Sequence, residues 1–125
     1  MAEEKVIELV NQALAHSQNK SYDRAIELCN EAIRLNPDYA EAYLHRGYAY
    51  SRKDCLDSAI VDYTKAIQLN PNYADAYAFR GYVYRKKGDH DRAIPELETA
   101  LRIGTRNDTY VREALANARI LAKRS

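Results

Sequence analysis

Asn36-Pro37-Asp38-Tyr39-Ala40-Glu41-Ala42-Tyr43 returns 34 residues later as Asn70-Pro71-Asn72-Tyr73-Ala74-Asp75-Ala76-Tyr77. The same interval separates Gly47 from Gly81. It also relates Ala25, Ala59 and Ala93, and then Ala32, Ala66 and Ala100. A fixed period of roughly 20 to 50 residues marks stacked supersecondary units, none of which can bury its apolar face alone.

Each unit reads as two helices. In the second unit Tyr43, Gly47 and Tyr50 stand at i, i+4 and i+7, which is one helical face. A break follows at Arg52-Lys53-Asp54, and then Ala59, Ile60, Tyr63, Ala66 and Ile67 form a second apolar stripe. Asp54 and Asp89 are the expected caps of the second helices. Asp38 with Glu41, and Asn72 with Asp75, resemble capping boxes for the first helices. Pro37 and Pro71 separate hairpins because proline cannot continue the preceding helical hydrogen bonds. Gly47 facing Ala59, and Gly81 facing Ala93, should let paired backbones approach closely. Pro95 falls inside a second helix and predicts a kink or local widening at Asp91 to Pro95.

These positions resemble the tetratricopeptide repeat. The second unit carries the pattern as Tyr43, Gly47, Tyr50, Ala59, Tyr63, Ala66 and Pro71, and the third as Tyr77, Gly81, Tyr84, Ala93, Leu97 and Ala100. The first is weaker: Leu9, Ala13 and His16 replace the aromatic, Gly and Tyr, while Ala25, Cys29, Ala32 and Pro37 hold. The resemblance implies an all-α fold, a right-handed superhelical stack of three helix-turn-helix hairpins, within a single domain over residues 1–125. The expected repeats are about 6–39, 40–73 and 74–107. Gly104 then reads as a C-cap, and a capping helix at about 108–123 should cover the open end with Val111, Ala114, Leu115, Ala118 and Leu121.

Composition agrees. The 125 residues are 30% charged with a formal net charge of +1, and hold four Gly and three Pro. Balanced charge disfavours a nucleic-acid footprint, and few Gly and Pro disfavour disorder and turn-rich β folds. No apolar run approaches the ~18 residues of a membrane span. Glu3, Glu4 and Glu8 near the start argue against a signal peptide, so a cytoplasmic setting is the expectation. Cys29 and Cys55 show no metal-ligand spacing and read as two free thiols. No phosphate loop, metal set or activated nucleophile is recognisable, so neither catalysis nor a cofactor is expected.

Function should then lie in residues that hairpin packing does not demand. On each first helix a second face is offset by one residue, about 100° round the helix. In tetratricopeptide arrays that face lines the concave groove, which by resemblance would hold Asn11, Leu14, Leu44, His45, Tyr48, Arg52, Phe79, Tyr82, Arg85 and Lys86. Ile7 and Val10 extend its apolar floor, and Glu41 and Asp75 form an acidic edge opposite the basic one. The apolar groove residues of the first unit should need a cover. The expected partner is a protein or peptide with apolar anchors and an acidic group. Some family members grip chaperone tails with a clamp of Lys, Asn, Asn, Lys and Arg. The matching positions here are Val10, Leu14, His45, Asp75 and Phe79, which speaks against that partner. Self-assembly through an end helix is the alternative. RNA binding ranks below it, although residues 102–125 hold six basic residues against two acidic.

Overall fold

The computed structural model describes residues 2–124. Seven helices occur among them: α1 (Ala2–Gln18), α2 (Tyr22–Leu35), α3 (Ala40–Arg52), α4 (Leu56–Leu69), α5 (Ala74–Lys86), α6 (His90–Ile103) and α7 (Asp108–Arg124). They fall into two compact units, Met1–Asn70 and Pro71–Ser125. The first holds the hairpins α1–α2 and α3–α4. The second holds the hairpin α5–α6, with α7 packed on α6 and touching α5.

The recurring alanines explain how the helices pair. Ala25, Ala32, Ala59, Ala66, Ala93 and Ala100 are all fully buried. A methyl group at those positions lets helices lie close without a void. In the first unit they join Val6, Leu9, Val10, Leu28 and Cys29 in the core. In the second unit Leu97, Ala100, Val111, Ala114 and Leu115 make the core, with Tyr77 and Tyr82 packed against it.

The hairpin turns are one motif made three times. Lys20, Asp54 and Gly88 have φ of 64°, 63° and 81°, and they stand 34 residues apart. The following residue donates back to the first carbonyl of the turn: Ser21 to His16, Cys55 to Tyr50 and Asp89 to Tyr84, at 2.8, 2.9 and 2.9 Å. The left-handed residue itself donates to Ser17, Ser51 and Arg85. This is the Schellman closure, which satisfies carbonyls that the helix end leaves open.

The motif corrects the expected caps. Asp54 occupies the left-handed position, so Cys55 becomes the N-cap of α4 and offers no side-chain bond. Asp89 is the N-cap of α6, where its carboxylate accepts from the Arg92 N–H at 3.1 Å. The two aspartates are 35 residues apart, one off the period, and so serve different roles. The expected capping boxes are also absent: Tyr39 and Tyr73 are the N-caps of α3 and α5, without side-chain caps. Asn36 instead accepts from the Asp38 N–H within the turn. Gly104 does end α6, with φ 104° and its N–H on the Ala100 carbonyl. The α6 helix runs unbroken through Pro95, and Thr99 Oγ1 donates to the Pro95 carbonyl.

Gly47 and Gly81 are helical and closely approached, but not by the expected alanines. A Cβ on Gly47 would lie 2.7 Å from Tyr63 Cε1, and one on Gly81 would lie 2.9 Å from Leu97 Cδ2. Four residues separate Ala59 from Tyr63, so both lie on one face of α4, and the larger side chain reaches the glycine. Leu121 is a further correction. It is 41% exposed, whereas Val111, Ala114, Leu115 and Ala118 pack inward.

Two arginines that the repeat pattern does not single out lock the hairpins. Arg46 on α3 clasps Asp62 on α4 with two bonds of 2.9 and 2.7 Å, and its third nitrogen donates to Asn30 on α2 at 2.9 Å. Arg80 on α5 clasps Glu96 on α6 at 2.5 and 2.8 Å. Each guanidinium also lies over a tyrosine ring of its own helix, Tyr43 at 5.6 Å and Tyr77 at 5.7 Å.

Candidate functional site

The expected groove residues separate by unit. In the first, α1 and α3 touch, and they present Ile7, Asn11 and Leu14 from one helix and His45, Tyr48 and Arg52 from the other. Ile7 and Leu14 are 47% and 36% exposed, but Val10 is buried. Leu44 is a correction to the expected site, because it is only 4% exposed and cannot meet a ligand in this arrangement. Its helix is flanked by α1, α2 and α4, so burial spreads over more of its circumference than a single apolar stripe. Arg52 is exposed but turned outward, donating from Nε to the Tyr22 hydroxyl at 3.2 Å. Ser51 Oγ donates to the Tyr48 carbonyl at 2.7 Å. Glu41 of the acidic edge accepts from the Tyr39 hydroxyl at 2.7 Å, and burial together with that bond pushes the Tyr39 phenol up to about 12.

The second unit gathers more of the predicted residues. Phe79 and Tyr82 on α5 sit with ring centroids 6.0 Å apart and planes tilted by 48°. Tyr110 on α7 meets Tyr82 edge to face, with centroids 5.2 Å apart and an interplanar angle of 86°. Burial, and then the neighbouring Tyr110, push the Tyr82 phenol up to about 12, although the Arg85 charge works the other way. Tyr82 therefore stays a neutral donor at physiological pH. Arg85 is partly buried one turn further along α5 and pairs with no carboxylate among the described residues. Lys86 is exposed at the helix end. Asp75 accepts a long bond of 3.4 Å from Thr105 Oγ1, and Thr105 Oγ1 in turn accepts from the Asn107 N–H.

Sequence reasoning missed Tyr110. It lies outside the 34-residue register, so no repeat column points to it. Its only signal was a large aromatic at the start of a helix whose inward stripe is Val111, Ala114, Leu115 and Ala118.

The largest depression, of about 490 Å³, lies along α1 between Glu4, Ile7, Glu8, Asn11, Gln12 and Ala15. It is a shallow strip on a single helix and gathers no convergent polar groups. No cluster of His, Cys, Asp and Glu suited to a metal occurs among the described residues, and no described helix is long and apolar enough to cross a membrane. Both cysteines are free thiols, and burial pushes the Cys29 thiol up to about 12.

Paired helices with a 34-residue period, Schellman turns and glycine-pinned hairpins define a helical-hairpin repeat protein. The chain belongs to the tetratricopeptide repeat family, whose sequence models match residues 13–54, 40–73 and 62–94. No curated protein matches it in sequence. Among solved structures it is similar to the Arabidopsis OM64 TPR domain, at 25% identity with a TM-score of 0.87, covering 95% of this chain and 98% of that one. It is also similar to the second TPR of Spaghetti (RPAP3) bound to the HSP90 peptide SRMEEVD. That match has 27% identity and a TM-score of 0.75, covering 79% and 92% of the two chains. The second TPR domain of human RPAP3, in complex with the HSP70 peptide SGPTIEEVD, has the same fold at 24% identity, a TM-score of 0.85 and coverage of 95% and 98%.

These complexes correct the expectation that set chaperone tails aside. Domains of this fold hold such peptides, so the absence of the Lys, Asn and Arg clamp at Val10, Leu14, His45, Asp75 and Phe79 does not remove that class of ligand.

Proposed function

We propose that this chain is a protein-interaction module that binds a short peptide segment of a partner along its first-helix faces. Phe79, Tyr82 and Arg85 of α5 are the principal anchors. The observation that carries the reading is Arg85, a partly buried guanidinium beside an aromatic pair with no carboxylate of its own among the described residues. A cation in that setting favours an anion supplied by a partner, because its charge is less screened than on an open surface. Tyrosine adds a large contact area with few rotors and a polar tip. The peptides held by similar domains, SRMEEVD and SGPTIEEVD, have that chemistry: an apolar residue beside acids.

Fluorescence anisotropy with labelled SRMEEVD tests the proposal. Tyr82→Ala should weaken binding by about 2 kcal/mol, as expected of an aromatic anchor. Arg85→Ala should weaken it and flatten its salt dependence. Melting temperatures should stay near that of the wild type. Unchanged affinity in both variants would sink this placement of the site.

Self-association is a second reading, favoured by Ile7 on α1 and Ile120 on α7, which are 47% and 49% exposed. Sedimentation velocity over a wide concentration range separates the two. A single monomeric species throughout excludes the second reading.

A further inference from the structure

The right-angle meeting of Tyr82 and Tyr110 has a consequence for ligand choice. Two rings 5.2 Å apart and 86° from coplanar form a two-walled corner, and Phe79, 6.0 Å from Tyr82, extends one wall. Tyr82 packs on the core of its unit and is held by it. Tyr110 is 60% exposed, a large fraction for a tyrosine that has already found an aromatic neighbour. The inward stripe of α7 needs only Val111, Ala114, Leu115 and Ala118, and Arg119 ties the same helix to Glu98 of α6 at 3.0 Å. Tyr110 is therefore surplus to the packing of α7, while that packing fixes its position.

We propose that Tyr110 is a specificity-determining residue of the peptide site. In this role α7 supplies one wall of a subsite for a compact apolar side chain, such as Met, Leu, Ile or Val, adjacent to a carboxylate. This rests on the peptide-binding reading above and adds to it the residue outside the repeats that selects the anchor. The occupant follows from two features. The corner offers aromatic faces and edges to aliphatic or thioether groups, which favour such contacts. Arg85 carries the unmatched positive charge one turn along α5 from Tyr82, so the acid belongs next to the apolar residue. Charge complementarity thus points to an acidic peptide with an apolar anchor. A nucleic acid would offer charge without an aliphatic group for the corner.

The test is a double-mutant cycle on the intact chain. The probes are labelled SRMEEVD and the same peptide with its methionine replaced by alanine. Tyr110→Ala should weaken the parent peptide about 10-fold, yet change affinity for the alanine peptide less than 2-fold, because the wall then has nothing to contact. Tyr110→Phe should bind like the wild type, since the corner needs the ring and not the hydroxyl. Helicity and melting temperature should be unchanged in both variants. If Tyr110→Ala binds both peptides like the wild type while Arg85→Ala still loses affinity, this inference fails and the peptide-binding reading survives. Equal loss for both peptides also overturns it. If neither Tyr110→Ala nor Arg85→Ala affects binding, or if the wild type binds neither peptide, both readings fail.

Discussion

Hairpins α3–α4 and α5–α6 are built on one plan with different substitutions. Arg46 and Arg80 are equivalent, but Asp62 is 3% exposed and held from two helices, whereas Glu96 keeps 16% of its side chain in water. Gly47 faces a tyrosine ring, and Gly81 faces a leucine. The left-handed turn residue is Asp54 in one and Gly88 in the other, followed by Cys55 and Asp89. Family sequence rules treat these as the same positions. Depth of burial and the shape of each neighbour decide what every one of them is worth. The hairpin with the better turn, α5–α6, has the less buried ion pair.

The largest expected effect comes from the arginines. Arg46→Ala strands a buried carboxylate and should cost about 3–5 kcal/mol. Arg80→Ala leaves Glu96 able to reach water and should cost nearer 1.5 kcal/mol. Burial already pushes the Asp62 carboxyl above its ordinary value despite Arg46. A carboxyl with a raised folded pKa binds a proton more readily when folded than when unfolded. Its penalty is therefore present at neutral pH and fades as pH falls through the carboxylate range. The deficit of Arg46→Ala should accordingly shrink in urea melts moved from neutral pH towards pH 4. A deficit equal to that of Arg80→Ala would show that depth does not matter here.

Next come the glycines. Gly47→Ala gains about 1 kcal/mol of helix propensity but forces a methyl against the fully buried ring of Tyr63, with overpacking of about 1–3 kcal/mol. A net loss of about 1–2 kcal/mol is expected. Gly81→Ala meets a branched aliphatic chain with more freedom to shift, and should lose less. Thermal melts that rank the two in the opposite order would break the comparison.

The smallest effect sharpens the turns. Asp54→Gly removes a left-handed non-glycine residue and should stabilise by up to about 1 kcal/mol. Cys55→Asp copies the cap seen at Asp89 and should add about 1 kcal/mol more. If the double variant melts below the wild type, the equivalence of the two turns is wrong.

Much of the architecture was legible because small residues must recur wherever helices pair closely. The alanines, Gly47, Gly81 and Gly104 therefore announced the hairpins. The Schellman turns were obscured because Lys20 and Asp54 are not glycine, so nothing in the first two turns advertised a positive φ. The arginine clasps were also present as a period, Arg46 to Arg80 and Asp62 to Glu96. A separation of 16 residues has no local meaning until the hairpin closes. For the site, Phe79, Tyr82 and Arg85 followed from register on one helix face. Leu44 did not follow, because register fixes direction but not the number of neighbours around a helix. Tyr110 could not follow, because α7 belongs to no repeat.

Arg46 also bears on where one module ends and the next begins. The family match at residues 40–73 contains Arg46 and Asp62, but Asn30, which takes the third guanidinium nitrogen, lies upstream of it. A segment excised at the family boundary and grafted into another array would bring the arginine without that acceptor. Grafts that begin before Asn30 should transplant more faithfully than grafts cut at the repeat edge, so the heritable building block of this chain is longer than its period.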